Sequence, residues 1–143
     1  MGPDSTPAEV LAGTRTIAVV GASPDPDKPS HGVMRYLLEQ GYRVIPVRPG
    51  EGEILGVPVA NSLAGAGGPI HVVNVFRQSE AAPGIAHEAV TAGAGCLWLQ
   101  PGCVSDEAGE IARLAGLAFV QDLCVREVHG AEGIGAVGPS LLP

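Results

Sequence analysis

Residues 16–24 read Thr16-Ile17-Ala18-Val19-Val20-Gly21-Ala22-Ser23-Pro24, an apolar run that ends on a glycine and then turns polar. A short run dominated by β-branched residues, without strict alternation, has the pattern of a strand buried on both faces in a parallel sheet. The glycine at its end lets the backbone turn sharply and bring N–H groups close to an anion. The loop continues through Asp25-Pro26-Asp27-Lys28-Pro29-Ser30 before helical spacing begins at His31.

Outward from this turn, apolar strands alternate with amphipathic helices. Ser30 is expected to cap a helix with Val33, Met34, Leu37 and Leu38 on one face and Gly41 as its left-handed stop. The second strand is Arg43–Val47, where Pro46 marks the strand's end or an irregular pairing. Residues 51–68 read as an irregular connection with a short extended piece at 54–59 and one helical turn at 63–66. A third strand follows at 70–76, a helix from about Pro83, a fourth strand at 96–100 and a helix capped by Ser105 or Asp106. That last helix is expected to bury Ile111, Leu114 and Ala115, and a fifth strand runs over 117–121. Residues 1–14 hold a short helix at about 6–12, and the Gly-rich tail 130–143 has too few apolar residues for another element. The expectation is one α/β domain over 15–129 with three layers and a five-stranded parallel sheet. Counting strands in chain order, the expected order is 3-2-1-4-5, with ligands bound at the carboxyl edge beside a switch point between the first and fourth strands.

Composition limits the function. Of 143 residues, 45% are apolar and only 3% aromatic, so the core must be Val, Ile, Leu and Ala. Cys96, Cys103 and Cys124 are odd in number and lack CxxC spacing, which argues against zinc and for a reducing, cytoplasmic setting. Neither a signal-peptide pattern nor eighteen consecutive apolar residues occurs, so a soluble, non-exported chain is expected. A formal charge of −7 disfavours nucleic acid and anionic membranes. Against that acidity, four of the eight basic residues, Lys28, Arg48, Arg77 and Arg126, follow strands on the carboxyl edge, the pattern of an anion-binding mouth.

The turn at Gly21 reads Gly-Ala-Ser-Pro-Asp-Pro, not GxGxxG, and Arg48 stands where an acidic ribose partner would end the second strand. NAD is therefore disfavoured, while NADP or a 3′-phosphorylated adenosine stays open. Gln100, closing the fourth strand, reads as a polar ligand contact. His31 is expected to be partly exposed, His71 and His87 to lie on the surface, Cys96 in the core and Cys103 in an exposed loop. No Ser-His-Asp order or convergent carboxylate pair appears, so the chain reads as a binding domain more than an enzyme.

The ordered set Val19-Val20-Gly21-Ala22-Ser23, Lys28-Pro29-Ser30, Gly41–Val47 with Pro49, Val75-Phe76-Arg77, Leu97–Gln100 and Asp122-x-Cys124 resembles the small stand-alone CoA-binding proteins. Their Rossmann-like domain is similar to the CoA-binding domain of the succinyl-CoA synthetase α subunit, and the resemblance covers residues 16–129. It implies that Gly21, Ala22 and Ser23 meet the diphosphate of coenzyme A and that Lys28 and Ser30 help hold phosphate. It further implies that Pro46, Val47, Arg48 and Pro49 bracket the adenosine, and that Phe76 and Arg77 border the pantetheine path. Cys124 would stand where the pantetheine thiol arrives, either open to a mixed disulfide with CoA or buried and inert. His31, Arg48, Asn74 and Leu123 stand where the family commonly has an aromatic residue, Asn, Asp and Arg. A related ligase also needs a phosphorylated His and a nucleotide-grasp domain, for which 143 residues leave no room. The function implied is binding of CoA or an acyl-CoA by a non-catalytic carrier, sensor or partner module, with a protein partner and no nucleic acid or membrane. The alternatives are an NADP-binding oxidoreductase or its remnant, and a regulatory Rossmann-like subunit with an empty site.

Overall fold

The structure, a computed structural model, describes residues 1–135. The strands are β1 (Thr16–Val20), β2 (Arg43–Val47), a β3–β4 hairpin (Glu53–Ile54 and Val57–Pro58), β5 (Val72–Val75), β6 (Cys96–Leu99) and β7 (Ala118–Gln121). The helices are α1 (Pro7–Ala12), α2 (Pro29–Glu39), α3 (Ala82–Thr91), α4 (Asp106–Leu114) and α5 (Val125–Ala131). The five long strands form one parallel sheet in the order β2-β1-β5-β6-β7.

The α/β class and the five-stranded parallel sheet hold, but the order is 2-1-3-4-5 in chain count rather than 3-2-1-4-5. The connection between β2 and β5 explains the difference. It carries only the two-residue strands of the hairpin and a three-residue 3-10 turn at Ala64–Ala66, with no helix to cover a further strand beside β2. Instead its own backbone occupies that edge: Ala60 N–H donates to the Pro46 carbonyl (2.8 Å) and Arg48 N–H to the Ala60 carbonyl (3.0 Å). Pro46 therefore turns its missing donor toward the outer edge, the place a strand tolerates proline, and keeps regular register with Val19 of β1. The third long strand then pairs on the free side of β1.

Alternate strand residues feed two layers. Ile17, Val19, Val44, Val72, Trp98 and Val120 face α1, α2 and α5, meeting Val33, Met34, Leu37 and Val125. Ala18, Val20, Ile45, Val73, Val75, Leu97 and Leu99 face α3 and α4, whose contacts are largely alanines, Ala82, Ala86, Ala89, Ala108 and Ala112. On α4 the buried face is Ala108, Gly109 and Ala112, whereas Leu114 is 82% exposed and Ala115 is exposed too. The Ser105 cap sets the helix so that Leu114, about 200° around from Ala112 at roughly 100° per residue, points outward.

Two further readings change. Helix α2 starts at Pro29 with Lys28 as N-cap, so Ser30 lies inside the helix and is buried. Helix α5, unforeseen in the sequence, is held by tertiary bonds: His129 is buried, its Nδ1 meets the Tyr36 hydroxyl (2.7 Å) and its Nε2 the Gly135 carbonyl (2.9 Å). A carbonyl can only accept, so Nε2 carries the proton. Residues 136–143 of the expected tail lie outside the described residues. Among the described residues no helix is long and apolar enough to cross a membrane.

Trp98, fully buried in β6, donates its indole N–H to the Leu123 carbonyl (2.8 Å), tying the sheet to the chain entering α5. Trp98→Phe should lower stability by about 2–3 kcal/mol through lost volume and an unmade bond. Urea unfolding followed by far-UV circular dichroism checks this, and an unchanged midpoint would contradict it.

Candidate functional site

The switch point falls between β1 and β5, where α2 leaves toward one face of the sheet and α3 toward the other. Such a divergence opens a crevice at the carboxyl edge. Here it is a cleft of about 1190 Å³ whose lining comes from the turns after β1, β5, β6 and β7 and the first turns of α2 and α5.

Gly21 brings the first two turns together. Its φ is +87°, and a Cβ there would lie 2.4 Å from the Phe76 carbonyl oxygen and 2.9 Å from Arg77 Cδ. Only glycine satisfies both the left-handed backbone and that approach. The N–H groups of Gly21 and Ala22 both point to the Val47 carbonyl (3.1 and 3.4 Å). The donors left near the turn are thus the Ser23 hydroxyl and, in α2, the Ser30 amide, because Pro29 has no N–H and the His31 N–H donates to the Lys28 carbonyl (3.0 Å). The intervening loop is shaped by its own bonds, Asp25 N–H to Ser23 Oγ, Asp27 N–H to Asp25 Oδ1 and Lys28 N–H to the Asp25 carbonyl. They deliver Lys28 to the start of α2.

Of the residues singled out in the sequence, Gly21, Ser23, Lys28, Ser30, Phe76, Arg77, Gln100 and Cys124 line the cleft. Ala22 is buried behind the turn, and Pro46, Val47, Arg48 and Pro49 lie outside the lining, adjoining the turn through the Val47 carbonyl. Three of the four cations, Lys28, Arg77 and Arg126, therefore share one cavity, with Glu80 and Glu127 also on its wall. The role of Arg126 was visible only as a basic residue after the last strand, because placing it required α5. Its Nη1 lies 3.6 Å from where a Cβ on Gly32 would sit, so the guanidinium lies over the first turn of α2.

The three thiols differ. Cys96 is fully buried in β6 and burial pushes its thiol up to about 12. Cys103, expected in an exposed loop, is buried beneath the cleft wall, and burial, assisted by the Glu80 carboxylate, raises its thiol as well. Cys124 is half-exposed on the cleft, at the N-cap of α5. The histidines stand apart. His31 is buried rather than partly exposed, because α2 begins before it and turns it inward. His71 is half-buried at the amino end of the sheet, where its Nδ1 accepts from Arg15 and Thr16 N–H (3.1 Å each).

Residues 15–129 match the family described as the CoA binding domain. The chain belongs to that family. It is 42% identical over 121 residues to an uncharacterized protein of Bacillus subtilis, YneT, covering 85% of this chain and 90% of that one. Its structure resembles that of Prb, a PH1109 protein redesigned for binding, at 34% identity and a TM-score of 0.85, covering 90% and 93% of the two chains. It also resembles part of the dinucleotide forming acetyl-coenzyme A synthetase 1 of Ca. Korarchaeum cryptofilum, at 25% identity and a TM-score of 0.68, covering 78% of this chain and 26% of that enzyme.

Two predictions follow from the geometry of this CoA binding domain. Gly21→Ala should destabilise by about 2 kcal/mol or more, since the new methyl meets backbone and a strained φ. A thermal melt within a degree or two of wild type would show that the turn is less constrained. At pH 8, iodoacetamide should label Cys124 well ahead of Cys103 and Cys96, because a raised pKa leaves less thiolate at the buried positions. Peptide mass mapping over a time course reads the order, and labelling of Cys103 first would reverse the assignment.

Proposed function

We propose that this protein binds coenzyme A or an acyl-CoA in the cleft and acts as a cytoplasmic, non-catalytic carrier, sensor or partner module. The observation that carries the reading is electrostatic. Helices α1 and α4 are conventionally capped, by Thr6 with Glu9 and by Ser105 with Asp106 and Glu107 in the first turn. Helix α2 has the opposite arrangement: Lys28 at its N-cap, no side-chain cap bond, no acid in its first turn, and Arg126 lying over Gly32. Cations beside the positive end of a helix dipole oppose it, and an anion held between them removes the conflict.

The cleft also suits a long ligand. Its volume exceeds the upper part of the usual range for small-molecule sites, about 300–1,000 Å³. In this reading Ser23, Lys28 and the hydroxyl and amide of Ser30 hold the diphosphate, with Arg126 above it. The segment Pro46–Pro49 brackets the adenosine. The pantetheine arm runs past Phe76 and Arg77 toward Gln100 and Cys124. The likeness to one part of a much larger synthetase agrees with a module that works beside other domains or proteins.

Calorimetric titration with CoA, dephospho-CoA and NADP tests the reading. CoA should bind, dephospho-CoA more weakly, and NADP weakly or not at all. Lys28→Ala and Arg126→Ala should each weaken CoA by about 5–30-fold, the loss of one charge-assisted contact. Absence of binding at millimolar CoA would refute the proposal.

A further inference from the structure

The part of the cleft where β6 gives way to α5 is governed by two buried amides. Asn74, fully buried in β5, sits beside Gln100, which closes β6 and is itself buried. Asn74 Nδ2 donates to the Trp98 carbonyl (3.4 Å) and to Gln100 Oε1 (3.0 Å). Gln100 Oε1 also accepts the Val125 N–H (2.9 Å), the first amide of α5. Each amide could in principle face either way, but the backbone leaves no choice. The Val125 N–H can only donate, so it needs the oxygen of Gln100; that oxygen can only accept, so Asn74 must turn its nitrogen toward it.

The polarity that remains is fixed. Gln100 lines the cleft with its oxygen fully engaged, and among the described residues its Nε2 donates to no protein acceptor. The arrangement leaves Asn74 Oδ1 buried without a partner; reversing the amide would instead bury an unpaired NH₂ group and set two oxygens against each other at Gln100.

Resting on the CoA reading above, we infer that Gln100 Nε2 donates to a carbonyl oxygen of the ligand's pantetheine arm, and that Asn74 is the positioning residue that keeps this donor turned outward. The ligand group at this point is an acceptor, either an amide carbonyl of the arm or the thioester carbonyl of an acyl-CoA. A ligand presenting an N–H donor here would be rejected.

Gln100→Glu separates the two roles of the side chain. A carboxylate still accepts from Asn74 and from Val125 N–H at the start of α5, so the fold is retained, but the cleft now faces an acceptor. Binding of adenosine 3′,5′-diphosphate, CoA and acetyl-CoA is measured by calorimetry for wild type, Gln100→Glu and Asn74→Leu, with thermal melts in parallel. Gln100→Glu should weaken acetyl-CoA by about tenfold or more, CoA equally where the contact is an arm amide, and adenosine 3′,5′-diphosphate by clearly less. Asn74→Leu, which removes the amide sharing Gln100 Oε1 without touching ligand or adding a charge, should weaken the same ligands by a smaller factor, because Val125 N–H still holds the oxygen. An equal loss for CoA and acetyl-CoA assigns the contact to an arm amide, and a larger loss for acetyl-CoA assigns it to the thioester. Wild-type affinity for both CoA and acetyl-CoA in Gln100→Glu, or an equal loss for acetyl-CoA and adenosine 3′,5′-diphosphate, overturns the inference. Wild-type protein that binds adenosine 3′,5′-diphosphate but gains nothing from the pantetheine arm overturns it as well, while binding of neither ligand overturns the CoA reading itself.

Discussion

The approach of Gly21 to the Phe76 carbonyl is the constraint on which the site depends. Strands β1 and β5 are neighbours, and their turns leave the sheet toward opposite faces, so they must pass each other within a few ångströms before diverging. A side chain at position 21 would push them apart and misplace everything that follows each turn. On one side that is the loop ending in Lys28 and α2, and on the other Arg77 and the chain leading to α3. The cleft exists because two backbones touch at its root and separate above it.

Above that root, the walls are laced by side chains that bond to backbone rather than to one another. Ser79 Oγ accepts Val104 N–H, Asp122 Oδ1 accepts Gly102 N–H, Gln121 Oε1 accepts Ser105 N–H, and Gln100 holds the start of α5. Each bond joins turns from different strands. Individually such a bond contributes about 1 kcal/mol, but together they give the loops of the carboxyl edge one arrangement, as a preorganised binding site needs. The charges rest on this frame: an acidic chain concentrates Lys28, Arg77 and Arg126 on one cavity, where the field is local rather than a property of the whole surface.

Much of this was legible in the residues. The apolar run ending at Gly21, the helix stops at Gly41 and Gly93, the cap at Ser105 and the buried strand at Cys96–Leu99 are local signals, and each appears where periodicity and turn chemistry put it. Eight of the thirteen proposed site residues share the cleft because the carboxyl ends of parallel strands necessarily lie on one edge. Failures came where local rules are silent. Leu114 looks apolar and faces water, since a helix's buried face is chosen by what packs on it. Cys103 looks like a loop residue and is buried, since the loop folds over α3 and α4.

The sequence by itself determined the class of fold, the parallel sheet, the glycine turn after β1 and the edge on which eight of the candidate residues gather, because these depend on neighbouring residues and on periodicity. Tertiary structure alone decided the strand order, through a backbone segment that occupies the outer edge of β2. It also decided that Arg48 lies outside the cleft while Arg126 lies inside, since α5 is tied to the end of β6 by Gln100 and to α2 by Tyr36. The orientation of two buried amides is the finest example: nothing in the letters Asn74 and Gln100 says which way they face. An N–H that only donates, 25 positions away at Val125, fixes Gln100, and the Gln100 oxygen, which only accepts, then fixes Asn74.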